Sequence, residues 1–418
     1  RNMENYIKNL IRNIWTKLTS TRNQVHRYQT NKHLSKTQGS HKTAEMLQAL
    51  SLFLQQHYQF RFNLLTEGTE FKEQGNPDSP YRPVSQRDLN SFCQSAQQAG
   101  IDCWDRDISR FVYSNQIAEY HPFQTYLSGL PTWDGQDRIT ALAQRVAGTS
   151  LWINGFHRWM LGMTAGWMGL DTQHGNSVAP ILVSRLQGMH KSTFCKLLLP
   201  DPLRSYYTDS VDLNSQGMIE QKLALFGLIN LDEFDKIPLR KMALLKNLMQ
   251  MTELNIRKAY QKNFRPLPRI ASFIATSNRK DLLSDPSGSR RFLCVEIEHK
   301  IDISPIDYEQ VYAQLKTELL NGERYWFTTE EEAEIQQSNT GFYKQTVEEE
   351  LFFATFRPSE KSSNGELLSS AEIFRRMKKR HPSAMRGMTL RSFSLLLPQL
   401  GLSRIHTHYG NVYAVEEI

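Results

Sequence analysis

Short apolar runs alternate with helical stretches in the middle of the chain. Three runs, "APILVS" from residue 179, "FGLINLD" from 226 and "IASFIAT" from 270, are separated by segments such as "IPLRKMALLKNLMQM". The runs have the length and composition of buried β-strands, and the intervening segments have the pattern of helices. This alternation predicts an α/β fold with a mostly parallel sheet.

The flanking regions have other patterns. Before the strands, "AEMLQALSLFLQQHYQFRFN" from residue 44 predicts a helix running into a strand, and "SQRDLNSFCQSAQQAG" predicts a helix from a Ser cap to Gly100. An amphipathic helix is predicted from a one-sided apolar stripe at Ile7, Leu10, Ile11, Ile14, Trp15 and Leu18. A connector with helix breakers occupies 120–139, and we place a boundary there. After 300 come acidic helices, the loop "RPSEKSSNGE", two short helices and a hairpin turning near Gly410.

These patterns predict three regions. Residues 1–121 are expected to be mostly helical, 122–300 to form the α/β domain, and 301–418 to form a helical linker followed by a winged-helix-like module at about 365–418. A length of 418 residues agrees with several domains. The chain begins with Arg1, which is typical of a fragment of a longer protein.

Composition narrows the class of protein. A hydrophobic share of 39% indicates a folded chain, and a net charge of +7 suits a polyanionic partner such as nucleic acid. Four scattered cysteines without a C-x-x-C pair argue against a disulfide framework and a zinc ribbon. This use of cysteine favours a reducing cytoplasm. No apolar stretch is long enough for a membrane span, so we expect no membrane partner.

The stretch "VSRLQGMHKSTF" resembles a phosphate-binding loop between a strand and a helix. Lys191 and Ser192 fit the pattern G-x-x-x-x-G-K-[ST], but its glycine positions hold Arg185 and His190. The loop predicts a nucleotide site formed by Gln187, Gly188, Met189, His190, Lys191, Ser192 and Thr193. The alternative is a capped helix with an exposed lysine, and the missing glycines favour it because glycine accepts positive φ.

Polar residues at the ends of the next strands favour the nucleotide site. Asp232 and Glu233 follow the second apolar run, where a metal-binding and a water-activating carboxylate are expected. Asn278 follows the third run and is a candidate to orient the attacking water. Arg290 and Arg291 precede a further strand, where a guanidinium could reach a phosphate on a neighbouring subunit. Taken singly, the acidic pair could cap a helix and the arginines could form surface salt bridges.

The motifs "LQGMHKST", "LINLDEF", "ATSN" and "GSRRF" together resemble the virulence-associated protein E family in order and spacing. This family is related to superfamily 3 helicases and to viral primase-helicases within the AAA+ class. The form "QG-x-x-KST" resembles the branch found in Bacteroides-like bacteria. The resemblance implies an AAA+-like P-loop ATPase core that uses ATP and Mg²⁺ and assembles as a homo-oligomer, expected to be a hexameric ring.

A basic segment before the third strand is a candidate DNA contact. Arg257, Lys258, Tyr260 and Lys262 combine cations with an aromatic ring, which suits phosphate neutralisation and base stacking. By resemblance to superfamily 3 helicases, this is the hairpin that moves along DNA; the alternative is a solvated basic hairpin. The basic run from Arg375 to Arg380 in the last module suits either DNA binding or protein docking.

Two classes of function agree with these observations. The first is an ATP-driven helicase or translocase that acts on single-stranded or forked DNA during replication of a mobile element. The second is a nucleotide- and DNA-binding scaffold in which His190 marks the loss of hydrolysis. A role in defence against phage is a third possibility.

Overall fold

The computed structural model describes residues 37–76, 79–170, 174–256, 265–284, 286–344, 347–359, 365–408 and 410–418. The chain forms two compact units, the first ending at Tyr120 and the second beginning at His121. The predicted boundary between residues 121 and 122 lies next to this division. The predicted amphipathic helix of residues 7–18 lies outside the described residues. In the described part of the chain, no helix combines the length and apolar character needed to cross a membrane.

From residue 37 onward, where its description begins, the first unit combines three helices with a four-stranded sheet. The helices are α1 (Thr37–His57), α2 (Gln86–Gln98) and α3 (Asp105–Val112). The strands lie in the order β3 (Arg82–Pro83), β2 (Gly68–Glu73), β1 (Tyr58–Asn63) and β4 (Glu119–Tyr120). Tyr58, Phe60 and Phe62 alternate along β1 and pack into the core of this unit. The predicted helix running into a strand is therefore confirmed.

The rest of this sheet was not expected from the sequence, which predicted a mostly helical region. Two of its strands, β3 and β4, are only two residues long, which is too short to show an alternation of apolar and polar residues. The predicted cap of α2 is confirmed, since the Ser85 hydroxyl accepts a hydrogen bond from the Asp88 N–H at 3.3 Å.

The second unit is built on a five-stranded parallel sheet. Its strands lie in the order β11 (Phe292–Glu296), β5 (Ala179–Val183), β10 (Ser272–Ser277), β7 (Leu228–Leu231) and β6 (Tyr207–Thr208). The three predicted apolar runs form β5, β7 and β10, which are buried along their whole length. The predicted α/β fold with a parallel sheet is confirmed. Because all five strands run the same way, the residues that follow β5, β7 and β10 share one edge of the sheet.

Eight helices of the described residues belong with this sheet. They are α4 (Pro122–Ser128), α5 (Arg138–Gln144), α6 (Ser150–Met168), α7 (Lys191–Leu197), α8 (Gln216–Leu225), α9 (Leu239–Gln250), α10 (Tyr308–Leu320) and α11 (Thr329–Ser338). The predicted connector at 120–139 thus contains α4. Pro122 reads as a breaker in the sequence, but it occupies the first helical turn, where a missing N–H costs nothing.

A two-stranded hairpin precedes β10. Strands β8 (Glu253–Ile256) and β9 (Arg265–Pro268) pair antiparallel, and the Arg269 N–H donates to the Thr252 carbonyl at 2.9 Å to close the base. The buried Arg269 guanidinium donates to the Ala271 carbonyl at 2.8 Å, to that of Asn176 at 3.1 Å and to that of Met249. Burial lowers the pKa of Arg269 to about 10. The side chain therefore ties the hairpin base to the start of β10.

The chain ends in a module with its own apolar core. It contains α12 (Val347–Thr355), α13 (Ser370–Arg380), α14 (Leu390–Leu396) and the antiparallel strands β12 (Phe356–Pro358), β13 (Glu366–Ser369), β14 (Ile405–Thr407) and β15 (Gly410–Glu417). Buried Phe352, Ile373 and Phe393 bring the three helices together. The two predicted helices and the final hairpin are present, while the winged-helix assignment stays a prediction.

Candidate functional site

The loop between β5 and α7 turns sharply although it lacks the usual glycines. Gly188 has φ 74° and His190 has φ 62°, so both lie in the left-handed region. Histidine is among the residues that enter this region more often than most. The loop is fastened to the segment after β11, because the Ile301 N–H donates to the Met189 carbonyl at 3.3 Å. The departure at His190 therefore leaves the turn itself in place.

Lys191 is the first residue of α7 and only 8% exposed. Its Nζ donates to the Ser184 carbonyl at 3.2 Å and to Asn278 Oδ1 at 2.9 Å. Burial lowers the pKa of Lys191, while the charges of Asp232 and Asp235 act in the opposite direction. No ion pair joins Lys191 to a carboxylate in the described part of the chain. The lysine is held by neutral oxygens, at the junction of β5 and β10.

Asp232 accepts hydrogen bonds from hydroxyl groups on two other elements. Ser192 Oγ, on α7, donates to Asp232 Oδ1 at 2.9 Å, and Thr276 Oγ1, on β10, donates to the same oxygen. The Glu233 N–H lies 3.4 Å from Thr276 Oγ1. The structure therefore brings Lys191, Ser192, Asp232 and Asn278 together at the carboxyl edge of the sheet.

Glu233 lies beside this cluster in a left-handed turn with φ 53°. Its Oε1 accepts a hydrogen bond from Lys236 Nζ at 2.7 Å, and this bond raises the pKa of Lys236. The side chain is exposed and would have to leave Lys236 to act on a water molecule. Gln187 and Thr193 are also exposed, on either side of Lys191.

Sequence reasoning missed three supporting groups: the Thr276 hydroxyl, the Ser184 carbonyl and Asp235. Asp235 Oδ1 accepts a hydrogen bond from the buried Ser277 hydroxyl at 2.9 Å, which links the turn after β7 to the end of β10. A signal for Thr276 was present, since it stands two positions before Asn278 and so shares its side of the strand. Asp235 carried no such signal.

The two arginines lie elsewhere. A 3-10 helix (Pro286–Arg291) precedes β11, and Phe292 pairs with Ala179 at the start of β5, opposite the end that leads to Lys191. The length of β5 separates the two edges by roughly 15 Å. Arg290 Nε lies 3.3 Å from Glu332 Oε2 on α11. Arg290 and Arg291 therefore sit at the other edge of the sheet from Lys191 of the same chain.

The four residues Arg257, Lys258, Tyr260 and Lys262 lie outside the described residues. They belong to the chain that joins β8 to β9, whose pairing ends with Ile256 opposite Arg265. The structure describes the two strands that flank this segment, and the predicted DNA contacts stay a prediction.

Residues 127–344 match the model of the virulence-associated protein E-like domain. This match covers more than half of the 418 residues. The chain belongs to the virulence-associated protein E-like domain family. The cluster around Lys191 lies within the matched residues, which also extend beyond the predicted domain end at 300 into α10 and α11.

The last module matches another family, and the chain is also similar to two solved structures. Residues 345–415 match a domain of unknown function described from a B. Theta gene, DUF3874. Two apo structures of the NrS-1 C-terminal region are similar at 12% identity. One covers 88% of this chain and 98% of its own with a TM-score of 0.41, and the other covers 89% and 99% with a TM-score of 0.42. No curated protein matches.

Proposed function

We propose that this chain is an ATP-dependent DNA helicase or translocase that acts in replication of a mobile genetic element. The observation that carries the proposal is the joining of Lys191, Ser192, Asp232 and Asn278 at one edge of a parallel sheet. The parallel sheet brings the ends of these strands together, and the side chains found there are polar and hydrogen-bonded to one another, which suits a ligand site. Family membership agrees with the proposal, since the cluster lies in the matched domain.

The residues present fit ATP and Mg²⁺. Lys191 is a buried cation whose Nζ contacts only neutral oxygens among the described residues, so an anionic phosphate would complete its shell. The described residues contain no group of three or more His, Cys, Asp or Glu that could hold a metal ion alone. Mg²⁺ commonly binds through one or two protein ligands plus phosphate oxygens and water, and Ser192 with Asp232 provides such a pair. The bound ion would neutralise charge on the phosphates.

The remaining residues support hydrolysis. Glu233, next to Asp232, would accept the proton of the attacking water after releasing Lys236. Asn278 would orient the same water, either by turning its amide group away from Lys191 or by accepting a hydrogen bond from the water through Oδ1. Lys191 and the N–H groups of the loop from Gln187 to His190 would hold the β- and γ-phosphates, with Thr193 beside them.

Arg290 and Arg291 fit a role between subunits. Because they lie at the opposite edge of the sheet, they cannot reach the nucleotide of their own chain. In a head-to-tail ring, that edge of one subunit can face the Lys191 edge of the next. We expect a hexameric ring in which one of these arginines stabilises the transferred phosphoryl charge in the neighbour.

A non-hydrolysing scaffold that binds nucleotide and DNA is the second candidate. In this candidate, His190 marks the loss of hydrolysis, since it stands at φ 62° where the phosphate-loop pattern has glycine. An ATPase that acts in defence against phage would use the same site and differ in its biological substrate.

Unwinding of a forked duplex tests the proposal directly. The protein is mixed with a fluorescent fork at low concentration, and strand separation is followed with ATP, without nucleotide, and with a non-hydrolysable analogue. We expect separation only with ATP, and none with Lys191→Ala. Separation that is absent, or that is equal in all three conditions, would refute a motor function.

A further inference from the structure

The charged residues of the C-terminal module fall into two groups, one paired and one unpaired. Three carboxylates converge on Arg376: Glu366 at 2.7 Å, Glu417 at 2.7 Å and Glu372 at 3.3 Å. Glu372 also pairs with Arg375 at 2.7 Å, and the hydrogen bonds that Arg376 donates to Glu366 and Glu417 raise the pKa of Arg376. This part of the basic run is neutralised inside the module, where it joins α13 to β13 and β15.

Other cations of the module are exposed and have no such partner. Lys378 on α13, Arg391 on α14 and Arg404 just before β14 are exposed, and no ion pair involves them within the described residues. Lys378 Nζ lies 5.7 Å from the centre of the Phe374 ring, which is 5.4 Å from the Phe393 ring of α14. Lys378 therefore lies at the junction of the two helices, outside the Arg376 network. We call Lys378, Arg391 and Arg404 the unpaired cations.

The outward side of α14 is short and carries one cation and two leucines. Phe393 is buried, while Arg391 is exposed together with Leu390 at 41% and Leu395 at 67%. Ser392 and Ser394 add hydroxyl groups, and the outward side carries no aromatic ring on which a base of a single strand could stack. This helix is preceded by a second helix and followed by a hairpin. Elements that enter the major groove share this order, and apolar side chains there contact thymine methyl groups.

We propose that this module binds double-stranded DNA, with α14 in the major groove and the unpaired cations on the phosphate backbone. The proposal gives a ligand to the module that matches a domain of unknown function. It goes beyond the proposed motor, since it concerns duplex DNA and requires no nucleotide. The competing occupant is a protein partner that would contact Leu395. The Leu395 side chain is 67% exposed, so a substitution there tests this alternative.

The experiment measures binding of the full chain to a fluorescent duplex of mixed sequence by anisotropy, without nucleotide, between 50 and 200 mM salt. The test variant is Arg391→Ser/Arg404→Ser. The matched control is Arg106→Ser/Arg110→Ser, which removes two exposed arginines from α3 in the first unit. If each lost cation contacts one phosphate, the slope of log K against log salt falls by about 2, and affinity falls about 60-fold at 0.1 M salt.

We expect this loss in the test variant, recovery in Arg391→Lys/Arg404→Lys, and unchanged binding in the control. Equal binding by the test variant and the wild type would overturn the proposal, and so would an equal loss in the control. If charge removal has no effect but Leu395→Asp changes the mass measured by light scattering, the surface binds protein and the DNA proposal is wrong. ATP hydrolysis without DNA, measured on the same variants, is expected to be unchanged. A wild type that binds duplex but never hydrolyses ATP would overturn the motor and leave this site standing.

Discussion

Replacing Lys191 with methionine separates a functional lysine from a structural one. Burial lowers the pKa of Lys191 because removing the ammonium group from water costs free energy. Methionine carries no charge, so the replacement removes this desolvation cost. The Asn278 oxygen that it contacts belongs to an exposed side chain and can bond to water instead. The carbonyl of the buried Ser184 loses a donor as well. We therefore expect the unfolding free energy without ligand to fall by no more than about 1 to 2 kcal/mol.

The response to nucleotide is expected to change more. A ligand at 100 times its Kd stabilises the folded state by about 2.7 kcal/mol, which raises the Tm of a unit of this size by roughly 5 to 10 °C. If loss of the ammonium group weakens binding about 100-fold, the same nucleotide concentration leaves about 0.4 kcal/mol. The shift in Tm should then fall to about 1 °C.

Differential scanning fluorimetry with and without Mg-ATP measures both quantities. The matched control is Lys196→Met, which removes an exposed lysine from the same helix and should keep the full shift. A Lys191→Met protein that melts several degrees lower alone, yet keeps the wild-type shift with ATP, would show that the lysine is structural and refute this reasoning.

Three further predictions concern the loop, the arginines and the hairpin. His190→Gly should be more stable than His190→Ala by about 1 kcal/mol in urea unfolding, because alanine keeps the cost of a left-handed φ; equal stabilities would contradict the turn described. Mixing Lys191→Ala protein with the Arg290→Ala/Arg291→Ala variant should restore about a quarter of the wild-type ATPase rate if sites are shared between neighbours, whereas an inactive mixture would argue against sharing. Arg269→Met should lower the unfolding free energy by about 3 to 5 kcal/mol, since buried carbonyls lose their donors; a loss below 1 kcal/mol in the same urea titration would show that this guanidinium contributes little.

Part of the site could be predicted from the sequence because its residues follow recognisable strands. Asp232 and Asn278 each come directly after a run of buried residues, so their place at a strand end needed only the pattern of the chain. The contact of Lys191 with Asn278 depends on β10 lying beside β5, and that order joins segments far apart in sequence. Strand order of this kind is fixed by packing, which leaves no local signal.

Other features were hidden for similar reasons. The sheet of the first unit contains two-residue strands, which are too short for a period to appear. The basic run from Arg375 to Arg380 reads as one surface, but Arg376 is neutralised by Glu366 and Glu417, which come from separate strands. Pairing between distant segments decided both outcomes.

The motor function is tested by ATP hydrolysis of the purified protein, with and without single-stranded DNA. The wild type is compared with Glu233→Gln, which keeps the size of the side chain but removes the proton acceptor. We expect turnover that rises with DNA in the wild type and is lost in the variant, which should still bind ATP. A wild type that binds ATP but is as inert as the variant, with every DNA tested, would contradict the motor and favour the scaffold.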